Sequence, residues 1–525
     1  MLVLFKALAV LMVFATLVFV LTKPLFCRFM SPRDYAIRRN LWLALTLTAF
    51  LAPSYWSYVL VAGVLVLFAA QRDSNPVALY MFLLITLPPL GMELPTFGIV
   101  NQLFALNHLR FLSLLLLLPI ALGYFRRKPV PWESVPDGGR APSLVVTDWL
   151  LLAYVALQVL LSMPYESFTA SGKRLVLIGL ETVLPYYVLS RALRTRESFR
   201  EALAAFVLAA LVLVPLGVFE TFKGWLLFAG LEDHWGTVKF LGFLRRGAYL
   251  RAQVNAGHSI VLGFTFAVAL GFWFSLQASV DSLKWRWAVL LSLLVGLLVT
   301  FSRGPWVGAV LIWVIFLRLG PDSRRRSAKA IGLLFVVGIA VFLSPLGDTI
   351  KDNIPFIGSV GDETVEYRKR LAETSWLLVL QNPVFGSRNF LAYMEDLRQG
   401  EGIIDIVNAY ATIALSYGLV GLGLFCSFFG VVIVRCFKAL RHASGDPEFS
   451  LVGAALVAIL VAALAMLFTV NLYMSIGVLT WVLAGMGVAY ARLAQPEFAG
   501  RASDRQPLDT GLERRSLRPG ARGLA

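Results

Sequence analysis

The sequence predicts an all-α fold, a polytopic transmembrane helical bundle of about thirteen to fifteen spans. Apolar residues make up 58% of the 525 residues, charged residues make up only 15%, and the mean hydropathy is +0.75. A soluble chain has about a quarter of its residues charged. The apolar residues fall in blocks of about 15–25, the length that a helix needs to cross roughly 30 Å of hydrocarbon. Apolar and polar residues do not alternate within the blocks, which favours helices over strands.

Lysine and arginine in the connections between these blocks predict the orientation, because short cytoplasmic loops are enriched in them. Residues 23–39 carry five basic residues, and basic residues recur in alternate connections after that. We therefore expect the N-terminus outside and the C-terminus inside. Pro53-Ser54 divides the longest block into a hairpin of two spans. The predicted spans cover residues 2–21, 41–70, 76–89, 108–125, 149–163, 175–193, 202–219, 252–276, 287–301, 306–317, 331–346, 406–434, 451–468 and 475–490.

Loop length and composition divide the chain into four segments. Residues 1–346 hold the first eleven or twelve spans, and residues 347–404 form a large acid-rich outer loop in which we expect amphipathic helices. Residues 405–492 hold the closing spans. Residues 493–525 form a basic inner tail whose polar, Gly- and Pro-containing composition predicts disorder.

The net charge of +16 does not require nucleic acid as a partner. Much of it lies in the inner loops and tail, where it faces anionic lipid. The four histidines are scattered and the three cysteines lack the spacing of metal ligands, so we expect no metal. No Gly-rich nucleotide loop is present in the sequence, and no other cofactor is expected.

The first candidate site feature on the outer face is the run Ser302-Arg303-Gly304-Pro305-Trp306-Val307-Gly308, which connects two predicted spans. An arginine so close to hydrocarbon is costly unless it pairs or binds an anion. Its planar guanidinium suits bidentate contact with phosphate. The alternative is that Arg303 extends to the lipid headgroups.

The second feature is the run Glu366-Tyr367-Arg368-Lys369-Arg370. After it, Leu371, Ala372, Ser375, Trp376 and Val379 recur at the spacing of an amphipathic helix on the outer interface. Arg368 and Arg370 diverge by about 200° on a helix, so only one of them can face a site. The alternative is a solvated run of charge.

The third feature is Asp405-Ile406-Val407-Asn408-Ala409-Tyr410, where a carboxylate and an amide enter the membrane together. Asp405 either acts as a base or caps a helix. An earlier cationic and polar stretch leads into another span and runs from Arg245-Arg246 through Arg251, Gln253 and His258 to Ser259. Glu181 and Glu220 are buried carboxylates, for which we expect an arginine such as Arg174 as partner, or a place near the interface.

Together these motifs resemble the O-antigen ligase/polymerase superfamily of bacterial envelope glycosyltransferases. The Ser302–Gly308 run is similar to its SRG-A/P-W-x-G signature, and Tyr367-Arg368 with Asn382-Pro383 and Phe385-Gly386 is similar to its arginine helix and NPxxG segment. Asn408-x-Tyr410 with Gly418-Leu419-Val420-Gly421 resembles its HN-x-Y-L…G-L-x-G element. The stretch from Arg251 to Ser259 resembles the family's sequence before the preceding span. The motif match covers roughly residues 240–425.

The resemblance implies a GT-C-like enzyme of the bacterial inner membrane, with a periplasmic N-terminus and a cytoplasmic C-terminus. Its donor would be an oligosaccharide on undecaprenyl diphosphate, and it would join such repeat units by inverting transfer into an exopolysaccharide or O-antigen. The resemblance also implies membrane lipid as a partner, and either a chain-length regulator or an export complex. The residues implied in diphosphate binding are Arg303, Arg368, Arg251 and Arg370. The supporting residues are Ser302, Tyr367, Asn408, Tyr410 and Gln253.

One position departs from the family pattern, because Val407 replaces the histidine that precedes the asparagine in ligases. Asp405, Glu401 or His258 remain as candidates for the catalytic base. The departure favours the polymerase branch over a ligase that transfers glycan to a lipid or protein acceptor. A transporter or flippase of lipid-linked glycan is the main alternative from another class, and a non-catalytic scaffold is a third.

Overall fold

The computed structural model describes residues 2–88, 90–95, 102–123, 145–237, 242–320, 362–398, 404–443 and 446–494. The described chain is mostly helical, and eight of its helices are long and apolar enough to cross a membrane. The predicted class, a polytopic all-α membrane protein, is confirmed. The total of thirteen to fifteen spans stays a prediction. Residues 129–142, which the sequence predicts to be a cytoplasmic linker, lie outside the described residues. So do the predicted span 331–346, the beginning of the predicted outer loop, Glu401 and the tail 495–525.

The helices follow the predicted threading closely, including the break at Pro53-Ser54, which separates the second helix from the third. The first eight are α1 Leu2–Phe26, α2 Pro32–Leu51, α3 Tyr55–Arg72, α4 Pro76–Leu84, α5 His108–Leu122, α6 Val146–Ser162, α7 Phe168–Ala192 and α8 Arg196–Lys223. The others are α9 Ala229–Trp235, α10 Ser259–Leu276, α11 Leu283–Leu298, α12 Arg303–Leu319, α13 Asp362–Gln381, α14 Ala409–His442, α15 Pro447–Met466 and α16 Met474–Leu493.

Two expectations about the early spans need correction. The predicted span 76–89 contains only nine helical residues, α4, which is too short to cross a bilayer alone. The loop after it is an antiparallel hairpin of β1 Gly91–Pro95 and β2 Gln102–Asn107. A second hairpin, β3 Arg245–Arg246 and β4 Tyr249–Leu250, lies between α9 and α10. These hairpins satisfy their own backbone groups, which is why strands occur in an otherwise helical chain.

Ion pairs join the helix ends at one end of the bundle, which we call the basic end. Buried Arg38 of α2 binds Asp73 in a bidentate pair, at 2.9 and 2.8 Å, and Glu201 of α8 at 2.6 Å. Removing one member would leave a buried charge without compensation, at a cost of about 3–5 kcal/mol. Three further pairs at this end are Arg28–Asp281, Arg196–Asp446 and Arg200–Glu448.

The opposite end, which we call the site end, therefore carries the connections between α8 and α10, between α11 and α12, before α14 and between α15 and α16. At this end α12 packs closely against α15 through two glycines. A Cβ on Gly304 would lie 2.5 Å from Thr469 Oγ1, and one on Gly308 would lie 2.4 Å from Met466 Sδ. This small-xxx-small pair lets the helices approach and fixes the first turn of α12 against α15.

Helix α14 is kinked at Gly418, and the backbone of the loop after α13 packs against the kink. The backbones of Gly386 and Gly418 have φ of 69° and 65°, and a Cβ on Gly418 would lie 2.1 Å from Val384 O. Leu419 N–H donates to Pro383 O at 2.8 Å, and Ser387 N–H donates to Leu415 O at 2.8 Å. The Asn382–Gly386 and Gly418–Gly421 motifs thus form one backbone crossing.

Helix α13 confirms the predicted amphipathic helix, with a narrower buried face than expected. Leu371, Ser375 and Val379, spaced four residues apart, are buried against the turns that follow α13 and the first part of α14. Ala372 and Trp376 were expected on the same face, but both are exposed, because each lies about 100° around the helix from its buried neighbour. The exposed apolar face of α13 is typical of a helix at a membrane interface.

We predict that Gly418→Ala destabilises the protein, because alanine there costs about 1–2 kcal/mol for the left-handed backbone and also clashes with Val384 O. The expected result is a lower midpoint of thermal unfolding in detergent. Gly423→Ala, five residues further along α14 and with nothing within 4 Å of its Cβ position, is the matched control. Equal midpoints for the two variants would contradict the crossing.

Candidate active site

The turn before α12 holds Arg303 at the first position of the helix. Ser302 occupies the N-cap position, but its side chain does not cap the helix. Its hydroxyl donates to Thr300 O at 3.1 Å and accepts from Arg251 Nη2 at 3.0 Å. Arg251 Nε also donates to Thr300 O at 3.2 Å. Arg251 and Ser302, predicted from different motifs, are therefore in direct contact beside Arg303.

Glu220, at the site end of α8, holds the segment that carries Arg251. Its carboxylate accepts from the backbone N–H groups of Gln253 at 3.0 Å, Val254 at 2.7 Å and Leu227 at 2.9 Å. The expectation of an arginine partner for Glu220 is wrong, because three backbone donors supply its hydrogen bonds. Asn255, in the same segment, donates to Ile85 O at 2.7 Å.

The expected arginine partner of Glu181 also differs from Arg174. Glu181 pairs with Arg110 at 2.8 Å, whereas Arg174 pairs with Glu166 at 2.6 Å. Glu166 also pairs with Arg388, which follows the backbone crossing. The Glu166–Arg388 pair thus joins the segment after α13 to the α6–α7 connection, and the Glu181–Arg110 pair joins α7 to α5.

Backbone strain concentrates at this end. In the described part of the chain, the non-glycine residues with positive φ are Val254 at 49°, Phe301 at 46° and Met474 at 50°. This conformation is costly for bulky or β-branched residues and persists where the surroundings enforce it. Val254 lies three residues after Arg251, and Phe301 lies two residues before Arg303, so the strain at these positions is adjacent to two candidate residues.

Gln253 and His258 complete the segment before α10. Gln253 is fully buried, and its side-chain amide donates to Gly242 O. His258 is the N-cap of α10, where its Nδ1 accepts from Ile260 N–H at 3.1 Å, so Nε2 is the nitrogen left for other contacts. Its ring lies edge-on to that of Tyr473, with centroids 6.1 Å apart.

Helix α13 contributes Arg368 and Tyr367. Tyr367 donates its hydroxyl to the backbone oxygen of Asp405 at 3.2 Å, which joins α13 to the segment before α14. Arg368 is close enough to Arg303 and Asp405 for their charges to act on it. Arg370 is exposed on α13, and its role in diphosphate binding stays a prediction.

Asn408 and Tyr410 position α14. Asn408 caps the helix, because its Oδ1 accepts from the N–H groups of Tyr410 at 2.9 Å and Ala411 at 3.1 Å. Tyr410 donates to Leu464 O of α15 at 2.8 Å, and its ring packs on Phe468 with centroids 4.3 Å apart. These contacts give both residues a supporting role. Capping of a helix was the alternative role for Asp405. Because Asn408 is the N-cap of α14, Asp405 does not cap this helix.

The charges at the site end act on one another. Burial and, second, the charge of Arg246 together lower the pKa of Arg251 to about 10. Burial and the charge of Arg303 lower the pKa of Arg368, which Asp405 opposes. Burial raises the pKa of Asp405 above its ordinary value, and Arg368 opposes that rise. Burial, with Arg251, lowers the pKa of His258 to about 4.

The structure brings two more residues to this cluster, Arg246 and Tyr473. Arg246 belongs to the cationic stretch noted in the sequence but was not among the predicted site residues, and Tyr473 was not predicted at all. Arg246 lies near Arg303 and Arg368, and Tyr473 lies near Asp405 and Arg251. The dipeptide Gly247-Ala248, between Arg246 and Tyr249, is a signal for a β-hairpin, and it could have predicted that Arg246 lies on a hairpin. No comparable signal surrounds Tyr473, which precedes an ordinary apolar span.

The helices and this shared site end define a multi-pass membrane protein whose extramembrane connections assemble a cationic site. Residues 287–426, about a quarter of the chain, match the family described as O-antigen ligase. This match of one region confirms the resemblance drawn from the motifs. Family members transfer glycans and act on lipid-linked glycan substrates. No curated protein matches the chain. The matched region contains Arg303, Arg368 and Asp405, whereas Arg246, Arg251, His258 and Tyr473 lie outside it.

We predict that Glu220→Gln lowers both thermal stability and glycan transfer, although Glu220 is placed to hold the backbone and not to contact substrate. The amide can no longer accept from all three buried donors, and each unsatisfied donor costs about 1–3 kcal/mol. The unfolding midpoint and the transfer rate are the measurements. Glu197→Gln, an exposed change in the first turn of the same helix, should alter neither. A Glu220→Gln protein with unchanged midpoint and rate would contradict this role.

Proposed function

We propose that this protein is a polymerase that joins glycan repeat units carried on undecaprenyl diphosphate, at the outer face of the cytoplasmic membrane. The observation that carries the proposal is the meeting of Arg251, Arg303 and Arg368 with Asp405 at one end of the bundle. Guanidinium groups bind phosphate oxygens in bidentate fashion. A nearby carboxylate can take a proton from a sugar hydroxyl.

The proposed reaction is a single displacement at the anomeric carbon of the donor. The acceptor hydroxyl oxygen forms the new bond to that carbon, on the face opposite the diphosphate. The bond between the carbon and the diphosphate oxygen breaks, and the configuration inverts. The hydroxyl proton passes to Asp405, and the lipid diphosphate leaves with its increased charge held by Arg303 and Arg368.

Asp405 is the favoured base among the three candidates. Burial raises the pKa of its carboxyl above the ordinary value, which improves a general base. His258 uses Nδ1 to cap α10, and its pKa of about 4 makes it a weak base. Glu401 lies outside the described residues. Val407, in the position of the ligase histidine, packs against the apolar cluster formed by α13 and the turns after it.

The proposed orientation follows from the distribution of basic residues. The connections at the basic end contain Arg28, Arg33, Arg194 and Arg196, and cytoplasmic loops are the ones that retain such residues. The site end would then face the periplasm, where no nucleotide donor is present. A donor carried on a membrane lipid needs no nucleotide and is therefore compatible with a site on that face.

Purified protein supplied with a lipid-linked repeat unit would test the proposal. Longer lipid-linked products would support the polymerase. Transfer only after addition of a different lipid or protein acceptor would replace it with a ligase. Movement of the lipid across the bilayer without new glycosidic bonds would replace it with a flippase, and neither activity would leave a scaffold.

We predict that Arg303→Ala abolishes polymer formation, by about 100-fold or more, while the protein remains in the membrane. The guanidinium would no longer stabilise the leaving diphosphate. Polymer length on a gel and protein content of the membrane fraction are the measurements. Arg318→Ala, an exposed change at the other end of α12, is the matched control and should leave the polymer unchanged. Normal polymer from the Arg303 variant would remove this residue from the mechanism.

We predict that Asp405→Asn lowers the transfer rate by about 100-fold or more, because an amide cannot take the hydroxyl proton. In the unaltered protein, the rate should fall as the pH drops through the raised pKa of Asp405, since only the carboxylate form is a base. The variant should lose this acid limb. Asp396→Asn, in the exposed turn before this segment, should keep it. A variant at position 405 with the same rate and the same acid limb would refute the assignment.

A further inference from the structure

The hairpin of β3 and β4 stands beside the proposed site and supplies a cation that the family match does not cover. Arg246 pairs with Tyr249 and Arg245 pairs with Leu250 in antiparallel register. The two-residue turn is Gly247-Ala248, with Gly247 at φ 56°. A glycine with positive φ in the first position of such a turn matches the right-handed twist of the two strands.

The register decides which arginine faces the site. Directly opposed residues of an antiparallel pair project from the same face, so Arg246 shares a face with Tyr249. The Tyr249 ring stacks on that of Phe301, with centroids 6.1 Å apart and planes at 12°. Phe301 lies two residues before Arg303. Arg246 therefore projects from the face of the hairpin that lies on the turn before α12.

Arg245 projects from the other face, with Leu250. Leu250 is completely buried. The guanidinium of Arg245 extends to the end of α8, where its Nη2 lies 3.5 Å from the Cβ position of Gly224. Adjacent arginines of one hairpin thus face different surroundings.

Backbone hydrogen bonds hold the hairpin against the turn before α12. Arg251 N–H donates to Leu244 O at 2.9 Å, which closes the base of the hairpin. Ala252 N–H donates to Val299 O at 3.0 Å, which joins the strand exit to the end of α11. Because these bonds fix the hairpin, the position of Arg246 relative to Arg303 does not depend on a mobile loop.

We propose that Arg246 is a further diphosphate-binding residue, contributed by the hairpin, which acts with Arg303 and Arg368 on the membrane-anchored donor. The inference rests on the proposed function and deepens it. Burial and the charges of Arg303 and Arg368 lower the pKa of Arg246, so the three cations repel one another until an anion lies among them. The diphosphate gains about one negative charge as it leaves the sugar, and a third guanidinium strengthens its binding in that state.

Binding of undecaprenyl diphosphate to the full-length protein in phosphatidylcholine nanodiscs is the test. We expect Arg246→Ala to raise the dissociation constant by about 10-fold or more, the loss typical of a charge-assisted hydrogen bond. Arg245→Ala removes the same charge from the same hairpin and should change it by less than about 2-fold. Arg246→Lys, which keeps the charge without the bidentate geometry, should fall between the unaltered protein and Arg246→Ala.

The outcomes that overturn the inference differ from those that overturn the function. Equal dissociation constants for Arg246→Ala and Arg245→Ala, with unaltered protein that binds the diphosphate, would refute the role of Arg246 alone. Equal competition by phosphatidylglycerol would show a general site for anionic headgroups and refute the diphosphate assignment. No binding by the unaltered protein would refute the proposed function itself. Unfolding midpoints of the variants, compared with the unaltered protein, verify that each is folded, and Arg246→Lys provides the comparison if the alanine variant is not.

Discussion

Hydrocarbon offers no hydrogen-bond partners, so every non-helical stretch near the bundle must have its backbone groups satisfied by the protein. The segment before α10 meets this requirement through Glu220, which accepts from Gln253 and Val254, and through Val299 O, which accepts from Ala252. The break in α14 meets it through the loop after α13, whose Pro383 oxygen accepts from Leu419 N–H. Irregular backbone, and with it the candidate site, occurs where these partners are available. The strained φ angles of Val254 and Phe301 persist because such bonds enforce them.

The same partners connect groups that are distant in sequence. Arg251 touches Ser302, Tyr367 touches the backbone of Asp405, and Tyr249 stacks on Phe301. The backbone crossing at Gly386 and Gly418 fixes the end of α13 to α14. A change in any one connection would therefore shift several charged groups together. For this reason we expect substitutions at these glycines and at Glu220 to disturb the candidate site, even though none of these residues need contact a substrate.

Much of the fold was predictable from the sequence, because hydropathy and basic loops depend on local composition. The shortness of α4 and the β1–β2 hairpin were not predictable. Their apolar residues have the composition of a membrane-spanning helix, although the helix that forms there is too short to span. In the site, Arg251, Arg303 and Arg368 followed from motifs. The predicted arginine partner of Glu220 was wrong because the donors to its carboxylate are backbone N–H groups. Every residue except proline has such a group, so the sequence does not show which ones bind. Which of Arg245 and Arg246 faces the candidate site depends on the register of β3 and β4. A strand of two residues is too short for alternation of polar and apolar residues to indicate that register.

The direction of the helices adds to the electrostatics of the side chains. Helices α10, α12, α14 and α16 all begin at the site end, at Ser259, Arg303, Ala409 and Met474. Each helix N-terminus carries about half a positive charge from its aligned peptide dipoles. Near the low dielectric of the membrane these partial charges are less screened than in water. They act in the same sense as the arginines, so the backbone and the side chains together favour an anion at this end. Burial first, and then neighbouring positive charges, lower the pKa values of Arg246, Arg251 and Arg368, as expected where an anion would complete the charge balance.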